Sequence, residues 1–172
     1  LFKFEQLASK KFNKNFNNSY HKILKWSVKN QGDFWSLIWD FSNINGKKSK
    51  NKLKKSKIFY KNLFLPGSKL NFAENLLPKN NQDKAITFIS ENGFREEKNW
   101  QELNLQVSKI ITFLQRIKIK KNDRVAAYLP NTIETVEAFL SATSLGAIWS
   151  SCSPDFGTRG LIERFSQINP KI

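Results

Sequence analysis

The residues whose types could do chemistry stand in one row near the end of the chain, "SSCSPDFG" from Ser150 to Gly157. The row combines hydroxyls, a thiol and an acid, which are the side chains of nucleophilic enzymes. A serine triad also needs a histidine, and the only one, His21, lies on a predicted surface helix far away in sequence. No G-x-S-x-G elbow is present. One histidine and one cysteine cannot close a zinc site either, so the row predicts neither a triad nor a metal centre.

Cys152 is the only cysteine of the chain. A reactive thiolate needs a helix N-terminus or a nearby cation, and Cys152 stands before a predicted helix, with Arg159 following it. We nevertheless interpret Cys152 as a small buried hydrophobe at a strand end. A single cysteine excludes an internal disulfide and fits a reducing compartment such as the cytoplasm. The segment "GTRGLIER" lacks the Lys-Ser/Thr of a phosphate-binding loop, and no G-x-G-x-x-G fingerprint occurs.

The elements around this row follow an alternating pattern. From Lys84 the sequence predicts the order β-β-α-β-α-β-α, with "PKI" at the end beginning another strand. Such alternation indicates parallel strands joined by helical crossovers. Two strands end in turns, "YLPN" (Tyr128–Asn131) and "SSCSPDFG", and ligands of open parallel sheets bind at this edge. The turns either line a crevice for an anion at two helix N-termini or are ordinary turn and cap chemistry.

The first third of the chain predicts helices and a large positive charge. Patterns typical of helices cover Leu1–Phe12, the stretch after Ser19 and "FWSLIWDF", which is apolar nearly all round and is therefore expected to be buried. Residues 1–61 carry +12 of the net charge of +15. The densest run, Gly46–Lys57, suits nucleic acid or an anionic membrane. Because it contains no arginine and no aromatic residue, we interpret it as a solvated, flexible loop.

Several segments, taken in order, resemble one enzyme family. "WSVKNQGDFWSLIWDF" resembles the N-terminal cap of short-chain acyl-CoA synthetases, and "FLPGSKLNFAENLL" resembles the linker into their AMP-binding domain. "KNDRVAAYLPNTIETVEAFLSATSLGAIWSS" resembles the first βα units of that domain. The stretches "WSSCSPDFG" and "LNFAENLL" are similar to the acetoacetyl branch of these AMP-forming ligases, which belong to the adenylate-forming superfamily.

The resemblance implies an α/β fold in which a helical N-terminal cap precedes the first βα units of the adenylate-forming N-domain, a truncated parallel sheet. It implies a cap and linker over residues 1–79 and the start of the AMP-binding domain over residues 80–172. No run of about 18 apolar residues occurs, so no membrane span is predicted. No specific nucleic-acid partner is predicted, and the oligomeric state is left open.

The resemblance further implies a ligase that makes acetoacetyl-CoA from acetoacetate, ATP and CoA with Mg²⁺, through an acyl-adenylate. The phosphate loop and catalytic lysine of the family are expected beyond Ile172, so the sequence is expected to be an inactive fragment with no catalytic or metal-binding residue. Two alternatives are a ligase for acetate, propionate or butyrate and a non-enzymatic basic binding module that uses Gly46–Lys57.

The family comparison also gives the candidate binding residues. Ser153, Pro154 and Asp155 occupy the place where a glycine-rich turn of short-chain relatives approaches the pantetheine arm of CoA. Arg159 and Arg164 either neutralise a phosphate, or else pair with Glu163 or face solvent, and the second reading is favoured.

Overall fold

The computed structural model describes residues 1–172, which form two compact units, unit 1 (Leu1–Leu70) and unit 2 (Asn71–Ile172). The polar segment Pro78–Asp83, where the sequence predicts a domain boundary, carries neither helix nor strand. The division into domains of residues 1–79 and 80–172 stays a prediction, because the compactness of a unit and the extent of a domain are different properties.

Unit 1 begins with three helices, α1 (Phe2–Phe12), α2 (Tyr20–Lys29) and α3 (Gln31–Phe41). Ser19 precedes α2 at the N-cap position, as its sequence predicts. The helices bury a mostly aromatic core, made of Phe4, Ala8, Phe16, Ile23, Trp26 and Leu37. Edge-to-face ring contacts fill it, such as Phe4 against Phe34 at 5.8 Å between centroids.

Helix α3 is buried as expected on one side, but its opposite side is open, which its nearly all-apolar sequence does not predict. Leu37 is fully buried, but Trp35 is 43% exposed and Phe41 is 41% exposed. The physical reason is that the helices of unit 1 surround the core on one side of α3 only. On the exposed side of α3, the side chain of Trp35 contacts that of Phe64, with 5.6 Å between ring centroids.

The lysine-rich segment is not an irregular loop. Strand β1 (Gly46–Lys47) pairs with β4 (Lys69–Leu70), and β2 (Leu53–Lys54) pairs with β3 (Leu63–Phe64), both antiparallel. At Gly46 a Cβ atom would lie 2.6 Å from the carbonyl oxygen of Lys69, so the β1–β4 approach requires glycine. Lys48 donates to Asp40 at 2.6 Å and Lys52 donates to Asp33 at 2.6 Å. Two short strand pairs and two ion pairs therefore order this segment.

From Lys84 to Ile168, unit 2 has the order of elements that the sequence predicts. Its elements are α4 (Phe72–Leu76), β5 (Lys84–Ile89), β6 (Arg95–Asn99), α5 (Trp100–Arg116), β7 (Arg124–Tyr128), α6 (Ile133–Ser144), β8 (Ile148–Cys152) and α7 (Thr158–Ile168). Asn99 and Glu102 form a capping box at the start of α5, in which each side chain accepts from the other's backbone N–H. Gly146 has φ +69° just after α6, a conformation that favours glycine and ends that helix.

The strands of unit 2 pair as expected. Strands β5 and β6 form an antiparallel hairpin, and β7 and β8 are parallel and joined by α6. Lys171 and Ile172, within the predicted last strand, lie along β7 without forming an assigned strand. Lys171 N–H donates to the Arg124 carbonyl and Ala126 N–H donates to an Ile172 oxygen, both at 2.8 Å. Helix α5 packs on α6 through buried aliphatic residues, among them Leu103, Val107 and Leu140.

A buried ion pair fixes the hairpin to α6. The Glu137 carboxylate, 5% exposed, accepts a hydrogen bond of 2.8 Å from the Lys98 ammonium of β6. Burial by itself lowers the pKa of Lys98, but the hydrogen bond and charge of Glu137, with the charges of Glu96 and Glu134, outweigh it and raise that pKa. The Ser141 hydroxyl, which is fully buried, donates to the backbone carbonyl of Glu137 at 2.6 Å. These groups are the polar part of an otherwise apolar interface.

Glu97 makes the stability of the hairpin sensitive to acid. Hydrogen bonds from Lys84 and then Arg95 lower the pKa of Glu97 from 4.5 to about 2. Between these pH values the unfolded chain binds more protons than the folded chain, so the stabilisation is present above pH 4.5 and is lost as the pH falls toward 2. We expect the protection factors of the amides in β5 and β6, which correct the exchange rates for the intrinsic effect of pH, to decrease as the pH falls over that range. The Glu97→Gln variant should lose this pH dependence, whereas Glu91→Gln in the turn should keep it, and equal profiles for both would contradict the assignment.

Candidate functional site at the carboxyl ends of β7 and β8

The two strand-end turns lie side by side, as the sequence predicts. In the parallel register Tyr128 of β7 is opposite Cys152 of β8. The Leu129 N–H donates to the carbonyl of Cys152 at 3.2 Å, so backbone contact continues just beyond the strands. "YLPN" and "SSCSPDFG" therefore leave the same edge of the sheet and lead into α6 and α7. We call the segment Ser153–Gly157 the β8 turn.

Tyr128 connects the two turns. Its hydroxyl lies 2.8 Å from the carbonyl oxygen of Pro154 and 3.0 Å from that of Phe156. A phenol has one proton, so the hydroxyl donates to one of these carbonyls or is shared between them. Sequence reasoning missed this role. The only available signal was a tyrosine at the end of an apolar strand, immediately before the Leu-Pro-Asn turn.

The polar side chains of the β8 turn bond to one another. The Ser153 hydroxyl donates to the Asp155 carboxylate at 2.6 Å, and the Phe156 N–H donates to the Ser153 carbonyl at 3.1 Å. Pro154 and Asp155 are exposed, and Ser153 is half-buried. This pattern is turn chemistry, in which short polar side chains satisfy nearby backbone and side-chain groups. The turn presents a hydroxyl, a carboxylate and backbone amides to solvent, and it contains no histidine.

Cys152 is buried, with 6% of its surface exposed, and it is a free thiol. Its position at the end of β8 is the one expected of a small core residue, so that interpretation is confirmed. His21 lies in unit 1, where its ring contacts Tyr20 at 5.7 Å between centroids. The structure gathers no group of three or more His, Cys, Asp or Glu side chains that could hold a metal ion.

The two arginines of α7 have partners within the protein. Arg159 pairs with Glu163 at 3.0 Å and its side chain is 93% exposed, which confirms the favoured reading for that residue. Arg164 does not pair with Glu163. Its guanidinium lies 4.0 Å from the centroid of the Phe156 ring and donates to the Gly160 carbonyl at 3.2 Å. This cation–π contact holds the end of the β8 turn against the first turns of α7.

The two helix N-termini at this edge differ in charge. Helix α6 carries Glu134 in its first turn, and hydrogen bonds from the Thr132 hydroxyl and the backbone lower the pKa of Glu134. That acid complements the positive end of the helix dipole. Helix α7 begins after Gly157 with no acid in its first turn and no capping side chain. Of the two, α7 therefore leaves its N-terminal N–H groups without a negatively charged neighbour on its own first turn.

No helix of the structure is both long enough and apolar enough to cross a bilayer.

Helix α7 packs through half-buried residues such as Leu161 and Phe165, while Ile162 is 61% exposed. The edge of β7 and β8 is thus an open surface with ordered turns above two parallel strands. It can position a ligand, but it contains no complete set of acid, base and nucleophile.

An open α/β layer with ordered turns at the carboxyl ends of its strands defines a ligand-binding class of domain. The chain belongs to the AMP-binding enzyme family, whose model matches residues 76–172. It is 42% identical over 158 residues to acetoacetyl-CoA synthetase from Xenopus tropicalis, covering 90% of this chain and 24% of the relative. It is 33% identical over 180 residues to malonamoyl-CoA synthetase vrtB from Penicillium aethiopicum, covering 100% of this chain and 25% of the relative.

A solved structure agrees with these sequence relatives. Acetoacetyl-CoA synthetase from Streptomyces lividans superposes with a TM-score of 0.86 at 27% identity, over 98% of this chain and 26% of that chain. The helical segment, the linker and the first βα units thus match one known structure in the predicted order. The chain spans about a quarter of the length of the relatives it matches.

Proposed function

We propose that this chain is part of an AMP-forming ligase that joins acetoacetate to CoA. The observation that carries the proposal is that similarity to acetoacetyl-CoA synthetases extends through the helical segment as well as the AMP-binding region, over 90% of the chain for the Xenopus protein. The stretches "LNFAENLL" and "WSSCSPDFG" favour the acetoacetyl branch over acetate or propionate ligases. The same features disfavour a stand-alone basic binding module.

The proposed reaction has two steps. First, a carboxylate oxygen of acetoacetate attacks the α-phosphorus of ATP, the bond to the bridging oxygen breaks, and pyrophosphate leaves. Second, the thiol sulfur of CoA attacks the acyl carbonyl carbon, AMP leaves with the former carboxylate oxygen, and the thiol proton passes to solvent or a base. Both steps require close alignment and stabilisation of negative charge, which Mg²⁺ supplies when it is bound.

The residues of this chain do not fit the sites for ATP phosphates or Mg²⁺. The sequence has no loop like the T-S-G-T-T-G-x-P-K loop that the resemblance implies for the phosphates, and the structure has no cluster of three or more possible metal ligands. We therefore assign the phosphate and Mg²⁺ sites to other parts of a longer enzyme. In the proposed enzyme, this chain forms a layer of the AMP-binding domain and presents the β8 turn. The cytoplasm, a reducing compartment, suits the free thiol of Cys152.

The proposed acid substrates share one chemical feature. Acetoacetyl-CoA and malonamoyl-CoA, the products in the names of the two relatives, both carry a second carbonyl group at the β-carbon of the acyl chain. A short acid with such a carbonyl is therefore the proposed substrate class. Within this class we propose acetoacetate, because the sequence identity of this chain to the acetoacetyl-CoA synthetase is 42%, against 33% to the malonamoyl-CoA synthetase.

The test of this function is a panel of short acids with the complete gene product. We expect AMP and pyrophosphate to form with acetoacetate, ATP and CoA, and acetate, propionate and butyrate to give at least about tenfold lower kcat/KM because a site built for a polar group rejects analogues that lack it. The 172-residue chain alone should give no AMP. A preference for acetate would remove the specific proposal and leave a ligase of another acid.

The β8 turn is proposed to approach the pantetheine arm of CoA through Ser153, Pro154 and Asp155. A bulky Ser153→Phe substitution in the complete enzyme should then raise the KM for CoA about tenfold, because the pantetheine loses close contact with the turn. Acetoacetate-dependent ATP–pyrophosphate exchange, which needs no CoA, should stay unchanged. Ser153→Ala removes only the hydroxyl and is the matched control, with little change in either quantity. An unchanged KM for CoA in the Ser153→Phe enzyme would place CoA elsewhere.

A further inference from the structure

The tip of the β2–β3 hairpin carries a group of exposed apolar and basic residues. Strands β2 and β3 pair with Leu53 opposite Phe64, and the tip starts at Lys54, the last residue of β2, and ends at Lys61. Every residue from Lys54 to Lys61 is exposed, and we call this segment the lysine–aromatic tip. Within it Phe59 is 81% exposed, Tyr60 is 80% exposed and Ile58 is 41% exposed. Phe59 and Tyr60 are the two most exposed large hydrophobic side chains of this chain, and contiguous exposed apolar patches mark interaction sites.

The backbone of the tip is ordered. A 3₁₀ turn covers Phe59–Lys61, with the Lys61 N–H donating to the Ile58 carbonyl at 3.0 Å. The Asn62 side chain accepts a hydrogen bond of 2.8 Å from the Ser56 N–H and so closes the tip across its base. These hydrogen bonds fix the backbone of the turn that carries Phe59 and Tyr60, so the two rings are exposed on an ordered turn.

The charge around the tip has no acidic counterpart in unit 1. Unit 1 contains 16 lysines, no arginine and three acids. All three acids are already engaged: Asp33 binds Lys52, Asp40 binds Lys11 and Lys48, and the buried Glu5 accepts from the Asn18 N–H. The four lysines of the tip, Lys54, Lys55, Lys57 and Lys61, make no ion pair in the structure. An anionic surface is the partner that this charge complements.

We propose that the lysine–aromatic tip docks on an anionic lipid bilayer. Phe59 and Ile58 would enter the boundary between headgroups and acyl chains, and Tyr60 would keep its hydroxyl at the headgroup level. The four lysines would extend toward the acidic headgroups. This proposal does not depend on which acid the enzyme activates.

Lipid fits the tip better than a single-stranded nucleic acid. An aliphatic side chain, Ile58, stands beside the rings, and it offers a base no stacking surface. Nucleic-acid phosphates are often gripped by the planar fork of arginine, which unit 1 lacks. Lysine acts as a point charge, and this suits the diffuse field of a charged bilayer.

The experiment is flotation of the complete gene product with vesicles of phosphatidylcholine alone or mixed with phosphatidylserine, at low and high salt. We expect binding to the mixed vesicles only, and weaker binding at high salt. The triple variant Lys55→Gln, Lys57→Gln, Lys61→Gln should lower the partition coefficient roughly a hundredfold, as expected for three lysines near the surface. The double variant Phe59→Ala, Tyr60→Ala should lower it about tenfold or more through lost apolar burial.

Matched controls remove the same charge or the same rings elsewhere in unit 1. Lys22→Gln, Lys25→Gln, Lys29→Gln changes three exposed lysines of α2, and Phe2→Ala, Tyr20→Ala removes two rings that are more than half exposed. Both controls should bind nearly as well as the unaltered chain. Equal losses in tip and control variants, absence of binding to the mixed vesicles, or retention of a single-stranded RNA oligonucleotide without vesicle binding would each overturn the proposal.

Discussion

Replacing Lys98 with methionine is expected to lower the free energy of unfolding by about 3–5 kcal/mol, the usual effect of breaking a buried ion pair by removing one partner. The Glu137 side chain is only 5% exposed, and the substitution removes the ammonium group that lies 2.8 Å from its carboxylate. Two further acids, Glu96 and Glu134, contribute to the field at Lys98 and would then act on Glu137 without compensation. The loss would be a large part of the stability of a typical domain.

The measurement is the unfolding of the 172-residue chain by urea, monitored by far-ultraviolet circular dichroism. The double variant Lys98→Met, Glu137→Met is the control, because it removes both charges and keeps similar volume. It should recover most of the stability, since replacing a whole buried pair by apolar residues is often neutral. A single variant as stable as the unaltered protein would mean that the pair is not buried as described.

The Leu37→Ala substitution is expected to destabilise unit 1 by about 2–5 kcal/mol. Leu37 is fully buried in the core that α1, α2 and α3 share, together with Phe4 and Trp26. Removing its isobutyl group leaves a cavity among rings that are too rigid to fill the space, so both transfer free energy and packing contacts are lost.

Leu24→Ala on α2 is the matched control, because it deletes the same atoms at a position that is 42% exposed. It should cost less than about 1 kcal/mol, as most partly exposed substitutions do. Thermal unfolding monitored by the fluorescence of Trp26 and its neighbours distinguishes the two variants. Similar losses for both would show that the aromatic cluster does not depend on Leu37.

The order of elements in unit 2 could be predicted because its signals are local. Apolar spacing marked α5, and β-branched residues marked β5. Asn and Gly at the ends of helices marked α6, where Gly146 indeed has a positive φ. The parallel pairing of β7 and β8 followed from the helix between them, since a crossover of that length joins parallel strands. Each of these inferences uses residues that are close together in the sequence.

The lysine-rich segment could not be predicted in the same way. Its strands are two residues long, which is too short to show an alternating pattern, and β1 pairs with β4 more than twenty positions later. Lysine composition alone indicated a solvated loop. The pairing depends on Gly46, which lets the backbone of Lys69 approach, and on acids of α3 that meet Lys48 and Lys52. These are contacts between distant parts of the chain.

By itself the sequence determined the helices of this protein, strands β5 to β8, the two turns that end β7 and β8, and the resemblance to acyl-CoA ligases, because these are written in runs of neighbouring residues. Only the tertiary structure decided that Tyr128 joins the two turns, that Lys98 neutralises Glu137 and that Phe59 and Tyr60 stand open at a hairpin tip. The physical reason is that hydrogen bonding, ion pairing and burial depend on distances in space, which residues far apart in the chain acquire only on folding.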